Sequence, residues 1–123
     1  MARVLFADDD ADMRQLAIQL LSRRGHDVVT AGDGTEAIAM LSEIDPALVI
    51  TDLNMPGEDG YAVCLAVRNS PTLHSIPLVL ITALPFGDRR VQQVLAESNV
   101  IVVAKTDIVR LPDLTDELVA NAA

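Results

Sequence analysis

Five short apolar runs, each followed by a stretch of helical periodicity, restrict what this chain can become. They are Val4 to Ala7, Val28 to Ala31, Leu48 to Thr51, Leu78 to Ile81 and Val100 to Ala104. After the first run, Met13, Leu16, Ala17, Leu20 and Leu21 fall at i, i+3, i+4, i+7 and i+8, one apolar stripe of a helix. Asp10 is placed to cap that helix, Asp12 suits its positive end, and Gly25 is placed to stop it. Asp33 and Glu36 have capping-box spacing at the head of a second helix, with Ala37, Ile38 and Leu41 inward and Pro46 closing it off. Tyr61 to Arg68 make a third helix, and Asp88 to Glu97 a fourth with Val91, Val94 and Leu95 on its buried side. Pro112 fits the first turn of a fifth, which runs to about Asn121 with Leu114, Leu118 and Val119 inward. This alternation predicts an α/β fold: a doubly wound (βα)5 three-layer sandwich with a parallel five-stranded sheet covered on both faces. At 123 residues, without repeat or linker, a single domain spanning 1–123 is expected.

Charge narrows the partners. Nine Lys and Arg against 18 Asp and Glu leave a net charge of -9, which repels a phosphate backbone and argues against direct binding of nucleic acid. Cys64 is the only cysteine, so no internal disulfide can form, and its apolar neighbours suit a buried thiol. No stretch approaches the ~18 apolar residues of a membrane span. A cytoplasmic protein without membrane contact is expected.

In an open parallel sheet, ligands bind beyond the carboxyl ends of the strands, near the point where strand order reverses. Those ends carry Asp8 and Asp9 after the first run, Asp52 after the third, Thr82 after the fourth and Lys105 after the fifth. If the order is 2-1-3-4-5, the first and third strands flank the switch point and their acids become neighbours. Two carboxylates about 5 Å apart repel by roughly 3 kcal/mol at an effective dielectric of 20, so three acids gathered there require a cation. Lys105 can balance one charge, and a divalent ion that prefers oxygen ligands, most simply Mg²⁺, the others. Acids, a hydroxyl, an ammonium and such an ion suit phosphoryl transfer, in which catalysis is mostly positioning and charge neutralisation. Asp52, alone on its strand, is the better nucleophile; Asp8 and Asp9 look like the acidic pair of the metal.

The motifs VLFADDD, LVITDLNMPGEDG, LVLITA and VVAK, in this order, resemble the response-regulator receiver domains of two-component signalling. The resemblance spans nearly the whole chain and implies the flavodoxin-like sheet order 2-1-3-4-5. It further implies that Asp52 is the phospho-acceptor, Asp9 a direct Mg²⁺ ligand, Asp8 a ligand through water, and Asn54 a ligand through its backbone carbonyl. Thr82 would follow the phosphoryl group, with the small Ala83 leaving room beside it, and Lys105 would pair with phosphoryl oxygens. The implied donors are phosphohistidines of a sensor histidine kinase or a histidine phosphotransfer protein, and the implied readout is a changed protein-binding surface. It would be read by a downstream protein target or by an output domain outside this sequence, with the chain a monomer or weak homodimer that catalyses only its own phosphorylation and dephosphorylation.

Two positions depart from that pattern. Thr106 stands where the family usually has a proline after its lysine, and Val102 where it usually has an aromatic residue that turns inward with the threonine. His26 and His74 match no donor role and read as surface or boundary residues. Arg89 and Arg90, with Asp113, Asp116 and Glu117, offer cross-subunit ion pairs or merely solvated faces. Two alternatives stand beside the receiver. One is a phosphatase similar to the haloacid-dehalogenase superfamily, with Asp8 as nucleophile in the D-x-D pattern of Asp8 and Asp10. The other is a receiver-like binding module that is never phosphorylated.

Overall fold

The computed structural model describes residues 2–122. Each apolar run forms a strand: β1 (Arg3–Ala7), β2 (Asp27–Ala31), β3 (Leu48–Asp52), β4 (Leu78–Thr82) and β5 (Ile101–Ala104). Between and after them lie α1 (Ala11–Ser22), α2 (Gly34–Ile44), α3 (Gly60–Arg68), α4 (Arg89–Ser98) and α5 (Leu111–Ala122). All neighbouring strands pair in parallel, in the order β2-β1-β3-β4-β5.

Strand alternation divides the core in two. Leu5, Ala7, Val49, Leu78 and Leu80 face α2, α3 and α4, where they meet Ala37, Leu41, Val63, Cys64, Val67, Val91 and Val94. Val4, Phe6, Leu48, Ile50, Val79, Ile81 and Val103 face the other way, onto Ala17, Leu21 and Leu111 of α1 and α5. The central strands β3 and β4 are buried along their whole length, as continuous apolar runs in a helix-covered sheet should be.

The expected caps form. Asp10 accepts from the Asp12 amide at 2.9 Å and Asp33 from the Glu36 amide at 2.7 Å. Glu36 returns the bond to the Gly32 amide, one residue before the cap. Gly25 adopts φ +82°, where a side chain would be strained. Cys64 is fully buried, and burial pushes its thiol up to about 12, so it is a packing residue.

Four features depart from expectation. Leu95 is 36% exposed rather than inward, because the stripe of α4 that meets the core is only Val91, Val94 and Ser98 wide. A 3-10 helix over Lys105–Arg110, without side-chain cap, fills the link to α5 that the sequence left open, and the peptide after Lys105 is trans, as Thr106 in place of proline favours. The one buried side chain of that 3-10 helix, Ile108, leaves no periodicity to read. Third, His26 is buried, with Nε2 2.6 Å from Asp116 Oδ1. Finally, Asp113 and Asp116 serve their own chain: Arg24 Nη2 donates to Asp113 at 2.9 Å and Nη1 to Asp116 at 2.6 Å, tying the end of α1 to α5.

The His26 ring and the Arg24 guanidinium hold the Asp116 carboxyl below the ordinary carboxylate range. A lowered carboxylate contributes stability above its unfolded pKa, near 4, and loses it as pH falls through the folded value. Asp116→Asn should therefore lower the melting temperature at pH 7, with a smaller gap to wild type at about pH 3. Melts at both pH values check this; an unchanged gap in acid would contradict it.

Candidate functional site

Continuing the alternation past the strand ends puts Asp8 after Val4 and Phe6, Asp52 after Leu48 and Ile50, and Lys105 after Val103, all on the α1 and α5 side of the sheet. That shared parity lets one ammonium serve two acids. Lys105 Nζ donates to Asp52 Oδ2 at 2.9 Å and lies 3.0 Å from Asp8 Oδ2. The second contact is an ion pair without hydrogen-bond alignment, and the fully buried Asp8 Oδ2 makes no hydrogen bond. Asp52 Oδ1 accepts from the Leu53 amide at 2.8 Å, and Asp8 Oδ1 from the Asp10 amide at 2.9 Å. Backbone amides thus hold one oxygen of each acid and leave the other for a cation.

Asp9 completes the group. One carboxylate oxygen from each of Asp8, Asp9 and Asp52 lies within 4.8 Å of the others, with Asp8 and Asp52 buried and Asp9 exposed. Burial raises the Asp8 carboxyl, outweighing the amide bond from Asp10 and the nearby Lys105 ammonium, and the Asp52 charge adds to the rise. For Lys105 burial pulls downward, but the bond to Asp52 and the two neighbouring carboxylates outweigh it and the net direction is up. Three carboxylates against one ammonium leave an excess of negative charge on oxygen donors. With one ammonium shared between two buried acids and the exposed Asp9 beside them, this set fits a hard divalent cation such as Mg²⁺.

Thr82 closes the neighbouring strand. It pairs in register with Ala104, and its Oγ1 accepts from the Leu84 amide at 3.0 Å, which leaves the hydroxyl proton free to donate. An open cleft of about 440 Å³ fronts the acids, lined by Asp9, Asn54, Met55, Gly57 and Asp59. Asn54 is exposed at its rim. Val102 packs half-buried against the core on the α2 to α4 side, a small aliphatic residue where a turning ring was expected to be missing.

Sequence reasoning missed three supports. Asp59 caps α3 by accepting from the Ala62 amide at 2.9 Å, a role that an Asp ahead of a helical run could have signalled. Arg14 Nη1 donates to the Asp8 carbonyl at 2.9 Å and pins that strand end. The third is clearance. A Cβ on Gly60 would stand 2.1 Å from the Asp52 carbonyl oxygen, and one on Gly34 1.9 Å from the Glu58 carbonyl oxygen. The heads of α3 and α2 are thus pressed against the two ends of the loop that follows Asp52.

The family model described as response regulator receiver domain matches residues 4–112. The response regulator PleD of Caulobacter vibrioides is 41% identical over 92 residues, which are 74% of this chain and 20% of that protein. The chain therefore spans about a fifth of the length of that curated relative. The chemotaxis protein CheY4 of Vibrio cholerae has a similar crystal structure, with TM-score 0.82 and 28% identity, covering 94% of this chain and 98% of that one. The response regulator TrrA of Thermotoga maritima, crystallised with Mg²⁺ and BeF, matches with TM-score 0.81 and 27% identity over 96% of this chain and 99% of that one.

Proposed function

We propose, from the premise that this chain belongs to the response regulator receiver domain family, that it accepts a phosphoryl group on Asp52 and signals by the resulting change of its protein-binding surface. The observation that carries this reading is the Lys105 ammonium held between Asp52 and Asp8 inside a three-carboxylate cluster.

In this reading Asp8, Asp9, Asp52 and the backbone carbonyl of Asn54 would hold Mg²⁺. When bound, it supplies positive charge to phosphoryl oxygens. Asp52 attacks phosphorus through a carboxylate oxygen, an O–P bond forms, and the P–N bond of a phosphohistidine breaks, its ring leaving as neutral imidazole because the other ring nitrogen already carries a proton. Lys105, already 2.9 Å from Asp52, pairs with a phosphoryl oxygen, and the free hydroxyl proton of Thr82 reaches another. The donor is a sensor histidine kinase or a histidine phosphotransfer protein, and the reader is a downstream protein or an output domain of a longer regulator. Its chemistry is confined to its own phosphorylation and dephosphorylation. Among the described residues no helix is long and apolar enough to cross a membrane.

The alternative with Asp8 as a phosphatase nucleophile is disfavoured by the same geometry. Asp8 is fully enclosed and paired with Lys105, and the family match covers the receiver motifs. Phosphoramidate with Mg²⁺, followed by peptide mapping, separates the readings: label on the Asp52 peptide is expected, and label on the Asp8 peptide would overturn the assignment.

Asp9 has no protein cation among the described residues and adds its charge to two enclosed acids. Asp9→Asn should raise the melting temperature slightly in chelator and weaken Mg²⁺ binding by about tenfold or more. Calorimetric titration and melts check both, and a variant less stable than wild type in chelator would contradict the crowding.

A further inference from the structure

Two loops flank the Asp52 site, residues 53–59 after β3 and 83–88 after β4. Among the described residues one hydrogen bond reaches from the first of them to the head of α4: Arg90 Nη1 donates to Asn54 Oδ1 at 3.1 Å. The geometry around Arg90 is more than a helix cap. Asp88 Oδ1 caps α4 by accepting the Arg90 amide at 2.9 Å. The guanidinium then folds back on the same carboxylate, Nε to Oδ1 at 3.3 Å and Nη2 to Oδ2 at 3.4 Å, which leaves Nη1 aimed at Asn54. Arg90 holds the Asp88 carboxyl below its usual range, in keeping with that close pairing. An arginine whose side chain is 55% exposed would otherwise sample many rotamers. Here its position is set at both ends.

Asn54 lies two residues beyond Asp52 and lines the cleft in front of the acids. Its backbone carbonyl is the one metal ligand in the proposed function that no side chain supplies, so the direction of residue 54 matters to the ion. Position 102 is a valine, so no ring there links the site to α4. We propose that Arg90 is a positioning residue: braced by Asp88, it fixes Asn54 and so couples the loop after Asp52 to α4. This rests on the receiver reading above.

The sign of the effect on Mg²⁺ separates positioning from field. Removing a positive charge beside an acidic site should tighten a cation, weakly so at an exposed position. Removing a positioning residue should loosen it. In the 123-residue chain, Arg90→Ala is expected to weaken Mg²⁺ binding about threefold by calorimetric titration. Asn54→Ala, which keeps its backbone carbonyl, should match it, and the double variant should be no worse than either single one, because both remove the same contact. Arg90→Lys keeps the charge but cannot grip Asp88 and Asn54 together, and should behave like Arg90→Ala. Amide shifts of residues 91–98 on adding Mg²⁺ and beryllofluoride should shrink by about half or more in all four variants relative to wild type.

Tighter Mg²⁺ binding in Arg90→Ala, additive single effects, a wild-type-like Arg90→Lys, or undiminished α4 shifts would overturn the proposal. Phosphoryl uptake by the wild type reports separately on the receiver reading: if it occurs at Asp52 while the variants match wild type, the coupling alone has failed.

Discussion

Gly60→Ala is expected to destabilise the protein by about 3 kcal/mol or more and to abolish Mg²⁺ binding in whatever fraction folds. The added methyl would stand 2.1 Å from the Asp52 carbonyl oxygen and 2.8 Å from the Leu53 Cα, and all three near atoms belong to the backbone. No flexible side chain can yield. The Gly60 amide also donates to the Leu53 carbonyl at 2.9 Å, so relief requires α3 to withdraw from β3 or Asp52 to move from Lys105. Gly87→Ala is the matched control: its methyl would meet nothing within 4 Å, and stability should change by less than about 0.5 kcal/mol. Urea unfolding and Mg²⁺ titration of both variants check the pair. A Gly60→Ala protein as stable as Gly87→Ala would mean that α3 does not press on the nucleophile's strand.

Lys105→Met is the second change of large effect. It leaves Asp8 and Asp52, whose side chains are 0% and 7% exposed, without the ammonium between them. Removing one partner of a buried pair costs roughly 3–5 kcal/mol; with the Lys105 side chain 22% exposed, a loss of about 2–4 kcal/mol is expected in chelator. The pH dependence has a definite sign. Asp8 already sits above its ordinary value, and without Lys105 it must rise further. A carboxyl raised in the folded state favours folding below its unfolded pKa, and that contribution is lost as pH climbs through the folded value. The variant should therefore recover stability on acidification from pH 8 toward pH 5, which urea unfolding at both values reads. Phosphoryl uptake should fall by about 10²-fold, because the charge that meets the phosphoryl oxygens is gone. Equal stability at pH 8 would show that the ammonium is dispensable to the fold.

Much of this was legible in the sequence because the information is local and periodic. Runs such as Leu48 to Thr51 must be enclosed on both faces, which requires a parallel sheet, and Asp10 and Asp33 announce helix heads by their own side-chain chemistry. The site residues were legible because strands of such a sheet end along one edge, so Asp8, Asp9, Asp52, Thr82 and Lys105 could be grouped before any distance was known. What escaped was long-range or one-sided. His26 looked like a boundary residue because its partner, Asp116, lies 90 positions away on α5. Asn54 and Arg90 are separated by 36 positions, and no periodicity links them. Leu95 fits the apolar spacing of α4, yet that spacing cannot tell how wide a stripe the sheet will cover. Clearances at Gly34 and Gly60 depend on how far two helices approach a loop, which local sequence does not encode.

Intact-mass measurement after incubation with acetyl phosphate decides whether the Asp52 carboxylate is the phosphoryl acceptor. With Mg²⁺, the wild type is expected to gain one phosphoryl group, the gain should vanish in chelator, and Asp52→Asn should gain none. Equal gain by wild type and Asp52→Asn, or uptake that ignores chelator, would contradict the account.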